Sequence, residues 1–124
     1  MPFVHVITGP GLSASDKDSI SRSIHESLME AFTIPQDDFF QVIQDIADRR
    51  HPVAYLGVTY TDNVVFIQIT ARGGRTPEQK KKLYALIASK ISARTSLTPE
   101  DVFIVLHENT VECWSFGNGI AQYL

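Results

Sequence analysis

The sequence predicts an α+β fold: a tandem β-α-β repeat that shares one four-stranded sheet and sets two helices on one face. Three observations predict it. Four short segments are rich in apolar and β-branched residues, and two stretches of helical period lie among them. The two halves of the chain also resemble each other. Ile20, Ile24 and Leu28 recur as Leu83, Ile87 and Ile91 at an offset of 63, and Pro35, Asp37 and Phe39 recur as Pro99, Asp101 and Phe103 at an offset of 64. A single domain over residues 1–124 is expected, with repeat halves over 1–47 and 64–108.

Phe3 to Ile7 alternates and reads as the first strand, broken by Gly9-Pro10-Gly11. Ser13 or Ser15 can cap the first helix, with Asp16 in its first turn. Its buried stripe is Ile20, Ile24, Leu28 and Ala31, and Pro35 ends it. Phe39 to Ile46 reads as the second strand. The polar stretch 48–63 leaves room for a short hairpin. Val64 to Ala71 is the strongest strand and stops at Arg72-Gly73-Gly74-Arg75.

Thr76-Pro77-Glu78-Gln79 is a helix start: an N-cap, a proline at the first helical position and a glutamine that completes a capping box. Leu83, Leu86 or Ile87, and Ile91 form the stripe of this second helix. Lys80, Lys81 and Lys82 near its start oppose the helix dipole and read as a wet face. Val102 to Leu106 reads as the fourth strand. With both helices on one face, the other face of the sheet is left apolar and uncovered. That predicts burial against further copies of the chain.

Composition narrows the partners. The chain has 124 residues, 11 Lys and Arg against 14 Asp and Glu, and a net charge of −3. No basic footprint suggests nucleic acid, and no apolar run approaches the ~20 residues of a membrane span. One cysteine, Cys113, allows no internal disulfide and points to a reducing, cytoplasmic setting. His5, His25, His51 and His107 have no ligand spacing, so neither a metal nor another cofactor is expected. The start lacks the positive region of a signal peptide, and trimming Met1 would free the secondary amine of Pro2.

A Met1-Pro2 start that opens a strand, followed by a duplicated β-α-β pattern, resembles the tautomerase superfamily. Trp114-Ser115-Phe116-Gly117-Asn118-Gly119 after Glu108-Asn109 is similar to the branch that contains malonate semialdehyde decarboxylase. So is Gly74-Arg75-Thr76 before Glu78-Gln79-Lys80. The resemblance implies a homotrimer with the amino-terminal proline as catalytic centre and a small oxo acid as substrate. The proline would act as a base in keto-enol tautomerisation, or as a protonated acid in decarboxylation of a 3-oxo acid. Carried over residue by residue, it implies Pro2 and Asp38 in the chemistry. Arg72 and Arg75 would bind and polarise the substrate, and Trp114 and Phe116 would stand in the pocket wall. The decarboxylase pattern has Arg-x-Arg where this chain has Arg72-Gly73-Gly74-Arg75, one residue wider.

These residue types suit that chemistry. Guanidinium forks bind carboxylates bidentately. Cations and an apolar pocket favour the neutral amine, whereas a carboxylate favours the ammonium. Asp38 therefore pushes Pro2 toward acid and the arginines push it toward base. Asp101, as the repeat partner of Asp37, makes Asp37 the structural member of the Asp37-Asp38 pair and leaves Asp38 for chemistry. A trimeric binding or signalling protein with an incidentally reactive proline is the alternative on the same scaffold.

Overall fold

The computed structural model describes residues 1–124. The order is β1 (Pro2–Thr8), α1 (Ala14–Phe32), β2 (Gln41–Asp45), β3 (Ala54–Tyr55), β4 (Val58–Thr59), β5 (Val65–Arg72), α2 (Pro77–Arg94) and β6 (Val102–Asn109). Four strands form one sheet in the order β2-β1-β5-β6. β1 and β2 run parallel and are joined across α1; β5 and β6 run parallel and are joined across α2. The two units meet where β1 lies antiparallel to β5. Val4 pairs with Gln41 and Ile67 with Ile104, so one offset of 63 residues relates both units in register.

Alternation along the strands decides what each face buries. Val4 and Val6 of β1, with Val65, Ile67, Ile69 and Ala71 of β5, are at most 3% exposed. They share one core with Ile20, Ile24, Leu28 and Ala31 of α1 and Leu83, Ile87 and Ile91 of α2. Both helices thus lie on one face. Ser19, Ser23 and Ser27 are also buried on α1, where small side chains allow close helix approach. Glu26 pairs with Arg94 at 2.7 Å and with Lys90 at 3.6 Å, which ties α1 to α2. No helix is long and apolar enough to cross a membrane.

Local chemistry sets the ends of the elements. The Ser13 side chain accepts the Asp16 N–H at 3.0 Å and starts α1. α1 stops at Phe32, because Thr33 turns left-handed at φ 57° and donates its N–H to Met29 O. The stop thus precedes Pro35, the residue expected to cause it. Thr76 and Gln79 exchange both bonds of the capping box that starts α2. The hairpin in 48–63 is present. Leu56 and Gly57 both take positive φ in its two-residue turn, as the strand twist requires.

Two boundaries differ from the sequence expectation. β2 begins at Gln41, so Phe39 and Phe40 precede it, although Phe40 O still accepts the Val4 N–H at 3.0 Å. β6 runs three residues past Leu106, because His107, Glu108 and Asn109 pair with Thr70, Ala71 and Arg72. The uncovered face carries Phe3, Val42, Phe103 and Val105, between 38% and 43% exposed. Alternation sets His5, Gln68 and Arg72 on it as well, so it is apolar in patches rather than throughout.

Candidate active site

The chain start lies at the end of the sheet where β5 and β6 finish. Pro2 opens β1 opposite Ala71 and is buried. Proline suits a first strand position, since it has no N–H to give to a ladder. The next residue of β5, Arg72, pairs with Asn109 of β6. One end of the sheet thus gathers the chain start, the arginine loop and the end of β6.

Asp38 reaches this end from the loop between α1 and β2, where its N–H donates to Pro35 O at 3.2 Å. Its carboxylate pairs with the amine of Met1, and both side chains are largely buried. Asp37 is exposed, and its carbonyl accepts the Phe39 N–H at 2.9 Å. The shared offset of 63 makes Asp38, not Asp37, the register counterpart of Asp101. The expected pairing of Asp37 with Asp101 is corrected accordingly. The sequence offset of 64 around the prolines was one residue out because the loops, unlike the strands, are not constrained by register.

Arg75 is held in place. One nitrogen donates to Arg72 O at 3.1 Å and the other to Phe32 O at 3.3 Å. Its guanidinium stands 5.0 Å from the centre of the Phe32 ring. Burial pulls its pKa down, as does the charge of Arg72; Glu108 and Asp38 oppose them. Gly74 between the arginines has φ 109°, which favours glycine, and Gly73 donates its N–H to Asn109 O at 2.8 Å. Lys80 is not simply a wet lysine. It pairs with Glu108, while Lys81 and Lys82 stay exposed.

Beside the chain start lies an open groove of about 450 Å³ lined by Phe3, Phe39, Phe40, Gln41, Trp114 and Ser115. Phe3 follows Pro2 and Phe39 follows Asp38, so the groove abuts the charged cluster. Trp114 donates from Nε1 to Asn109 Oδ1 at 2.5 Å and stacks on Phe116 at 5.6 Å with 9° between planes. Phe116 is not in the lining. It backs Trp114 and lies 5.8 Å from Phe40. The sequence reading missed Phe3, Phe39 and Phe40 as lining, Phe32 as the seat of Arg75, and Asn109. The Phe39-Phe40 pair next to Asp38 was the available signal, since two adjacent aromatics cannot both face one core from a strand.

Comparison with known proteins adds to this geometry. Two profiles described as "Tautomerase enzyme" match residues 39–117 and 2–54. The chain belongs to the tautomerase family. This family member is 43% identical over its whole length to "Probable tautomerase YusQ" of Bacillus subtilis (strain 168), covering 99% of that protein. Among solved structures, FG41 malonate semialdehyde decarboxylase inhibited by 3-bromopropiolate is 31% identical with a TM-score of 0.91, over 98% of this chain and 93% of that one. A fused 4-OT wild-type symmetric trimer shares the fold at 19% identity and a TM-score of 0.77, over 95% of this chain and 94% of that one.

Proposed function

We propose that this tautomerase-family enzyme uses the amine of Pro2, freed by removal of Met1, to act on a small oxo acid, and that decarboxylation of a 3-oxo acid such as malonate semialdehyde is its main reaction. The observation that carries the choice is the carboxylate of Asp38 on the amine of Met1, the residue next to Pro2. The Pro2 nitrogen is one residue further along, and successive residues are ~3.8 Å apart at Cα. A carboxylate at that range favours the ammonium form. Arg75, by contrast, already gives hydrogen bonds to two carbonyls and feels Glu108 and Asp38 beside it, which moderates its pull toward the neutral amine. The similarity to a malonate semialdehyde decarboxylase supports the same reading.

In this reading Arg72 and Arg75 hold the substrate carboxylate while the Pro2 ammonium donates to the 3-oxo oxygen. The bond between the carboxylate carbon and C2 breaks, and its electron pair moves into the enol. Carbon dioxide leaves; C2 then takes a proton from water while the enol O–H returns its proton to Pro2, which re-forms the carbonyl and leaves hydroxide to combine with the carbon dioxide as bicarbonate. The carbonyl is the electron sink, so the step requires no cofactor. Charge forms at the oxygen, and the ammonium and the guanidinium groups stabilise it there. Trp114, backed by Phe116, gives the groove an apolar wall.

Keto-enol tautomerisation of a 2-oxo acid such as phenylpyruvate is the second reading. It is favoured by the name of the 43% identical relative. It needs a neutral Pro2 that moves a proton between carbon and oxygen. Assays of the purified enzyme on both substrates separate the two. Carbon dioxide release at a kcat/KM at least tenfold above that of phenylpyruvate ketonisation is expected. The reverse order would favour the tautomerase.

The proposal includes a homotrimer in the cytoplasm. The partly apolar open face supports the trimer, and the single cysteine supports the compartment. Phe103→Asp on that face is expected to lower the mass seen by light scattering from trimer toward monomer. An unchanged mass would remove this face from the interface.

A further inference from the structure

We propose that Asn109 is a positioning residue that fixes the indole of Trp114 against the arginine loop and thereby sets the width of the groove. The inference rests on the groove being the substrate pocket. Asn109 joins two parts of the site that are otherwise far apart in sequence. Its main-chain carbonyl accepts the Gly73 N–H at 2.8 Å, which anchors the turn between Arg72 and Arg75. Its side-chain carbonyl accepts the Trp114 Nε1–H at 2.5 Å, which fixes one edge of the indole. Arg72 is its register partner on β5. By strand alternation both side chains belong to the face that carries Gln68, Thr70 and His107.

Without this bond the indole keeps its stack on Phe116 and its apolar neighbours in the groove, and such contacts permit sliding and tilting. Phe116 rests on Phe40 and Tyr123 at 5.8 and 5.7 Å and offers the indole no hydrogen-bond acceptor there. The hydrogen bond is thus what selects one orientation. It holds Trp114 over the groove at a set distance from Arg72, and so determines how large an oxo acid fits beneath the indole while its carboxylate meets the arginine loop.

The side chain can be changed without cutting the loop anchor, because Gly73 bonds to the main chain of Asn109. Trp114 is the only tryptophan in the chain, so intrinsic fluorescence reports its setting directly and without substrate. In Asn109→Ala we expect a red-shifted emission and easier quenching by acrylamide. For a small oxo acid KM should rise about tenfold with kcat changed much less, and the preference for small over aromatic oxo acids should fall. Asn109→Asp keeps the acceptor and should restore the wild-type emission. Unchanged emission and quenching in a folded Asn109→Ala would overturn the proposal, as would an Asn109→Asp that behaves like alanine. If Pro2→Ala left turnover intact while Asn109→Ala still shifted the emission, the reading of the function would fail and the positioning of Trp114 would stand.

Discussion

Asp38 and Asp101 occupy equivalent positions in the two β-α-β units, yet their carboxylates hold different things. Asp101, just before β6, is 2% exposed and accepts both the N–H, at 2.9 Å, and the hydroxyl of Thr61. Asp38, three residues before β2, accepts the amine at the start of the chain. In the second unit the carboxylate holds an internal loop; in the first it pairs with the amine of Met1. The same structural anchor thus becomes a charged partner for a free amine.

Asp101→Ala tests the structural half of that relationship. It leaves the Thr61 N–H and hydroxyl without their acceptor. Hydrogen bonds to a charged group contribute about 1.5–3 kcal/mol, and Thr61 can turn to water, so a loss of about 2 kcal/mol is expected in urea unfolding. The folded fraction should keep its kcat/KM within about twofold, since the candidate site lies at the other end of β5. A stable but inactive variant would contradict this division of roles.

Asp38→Asn tests the other half. The amide keeps an acceptor but removes the charge, so the ammonium of Pro2 loses stabilisation and its pKa falls. An enzyme that works with protonated Pro2 loses activity as pH rises through that pKa. The alkaline limb of kcat/KM should therefore move to lower pH by about one unit, with a loss that grows to about tenfold only on the alkaline side of both limbs. An unmoved limb would separate Asp38 from the proline.

The pair of helices should be sensitive to acid. Arg94, first through its hydrogen bond and then through its charge, holds the Glu26 carboxyl below the usual range; Lys90 adds to this and burial opposes it. A depressed folded-state pKa contributes stability above the unfolded value, ~4.3 for glutamate, and loses it as pH falls through the folded value. Glu26→Gln should lower the thermal midpoint slightly at neutral pH and make no difference at pH 2. An equal effect at both pH values would assign the contribution to packing rather than charge. The pair is still about a third exposed, so solvent screens it and the effect is small.

Most of the fold was legible because periodicity and capping are local. Ile20, Ile24 and Leu28, and Thr76 with Gln79, carry their signals within one or two turns of helix. The strand ends were less so. Phe39 and Phe40 have strand composition, but the parallel register with β1 begins only at Gln41. Pro2, Asp38, Arg72, Arg75 and Trp114 lie toward one end of the sheet. What the residues alone could not give is how they are held. The grip of Phe32 O on Arg75 and of Asn109 on Trp114 joins residues whose proximity depends on the finished sheet and helix packing. Aligning the loops by their prolines pairs Asp37 with Asp101, whereas the strand register pairs Asp38 with Asp101.

The central claim is that the amine of Pro2 carries the chemistry, and Pro2→Ala with Met1 removal confirmed by mass tests it most directly. Alanine keeps a terminal amine but loses the ring that fixes its direction and its secondary character. Steady-state kinetics on the preferred oxo acid should show kcat/KM at least about 100-fold below wild type, with circular dichroism unchanged. A folded Pro2→Ala enzyme that turns over at near the wild-type rate would contradict the account.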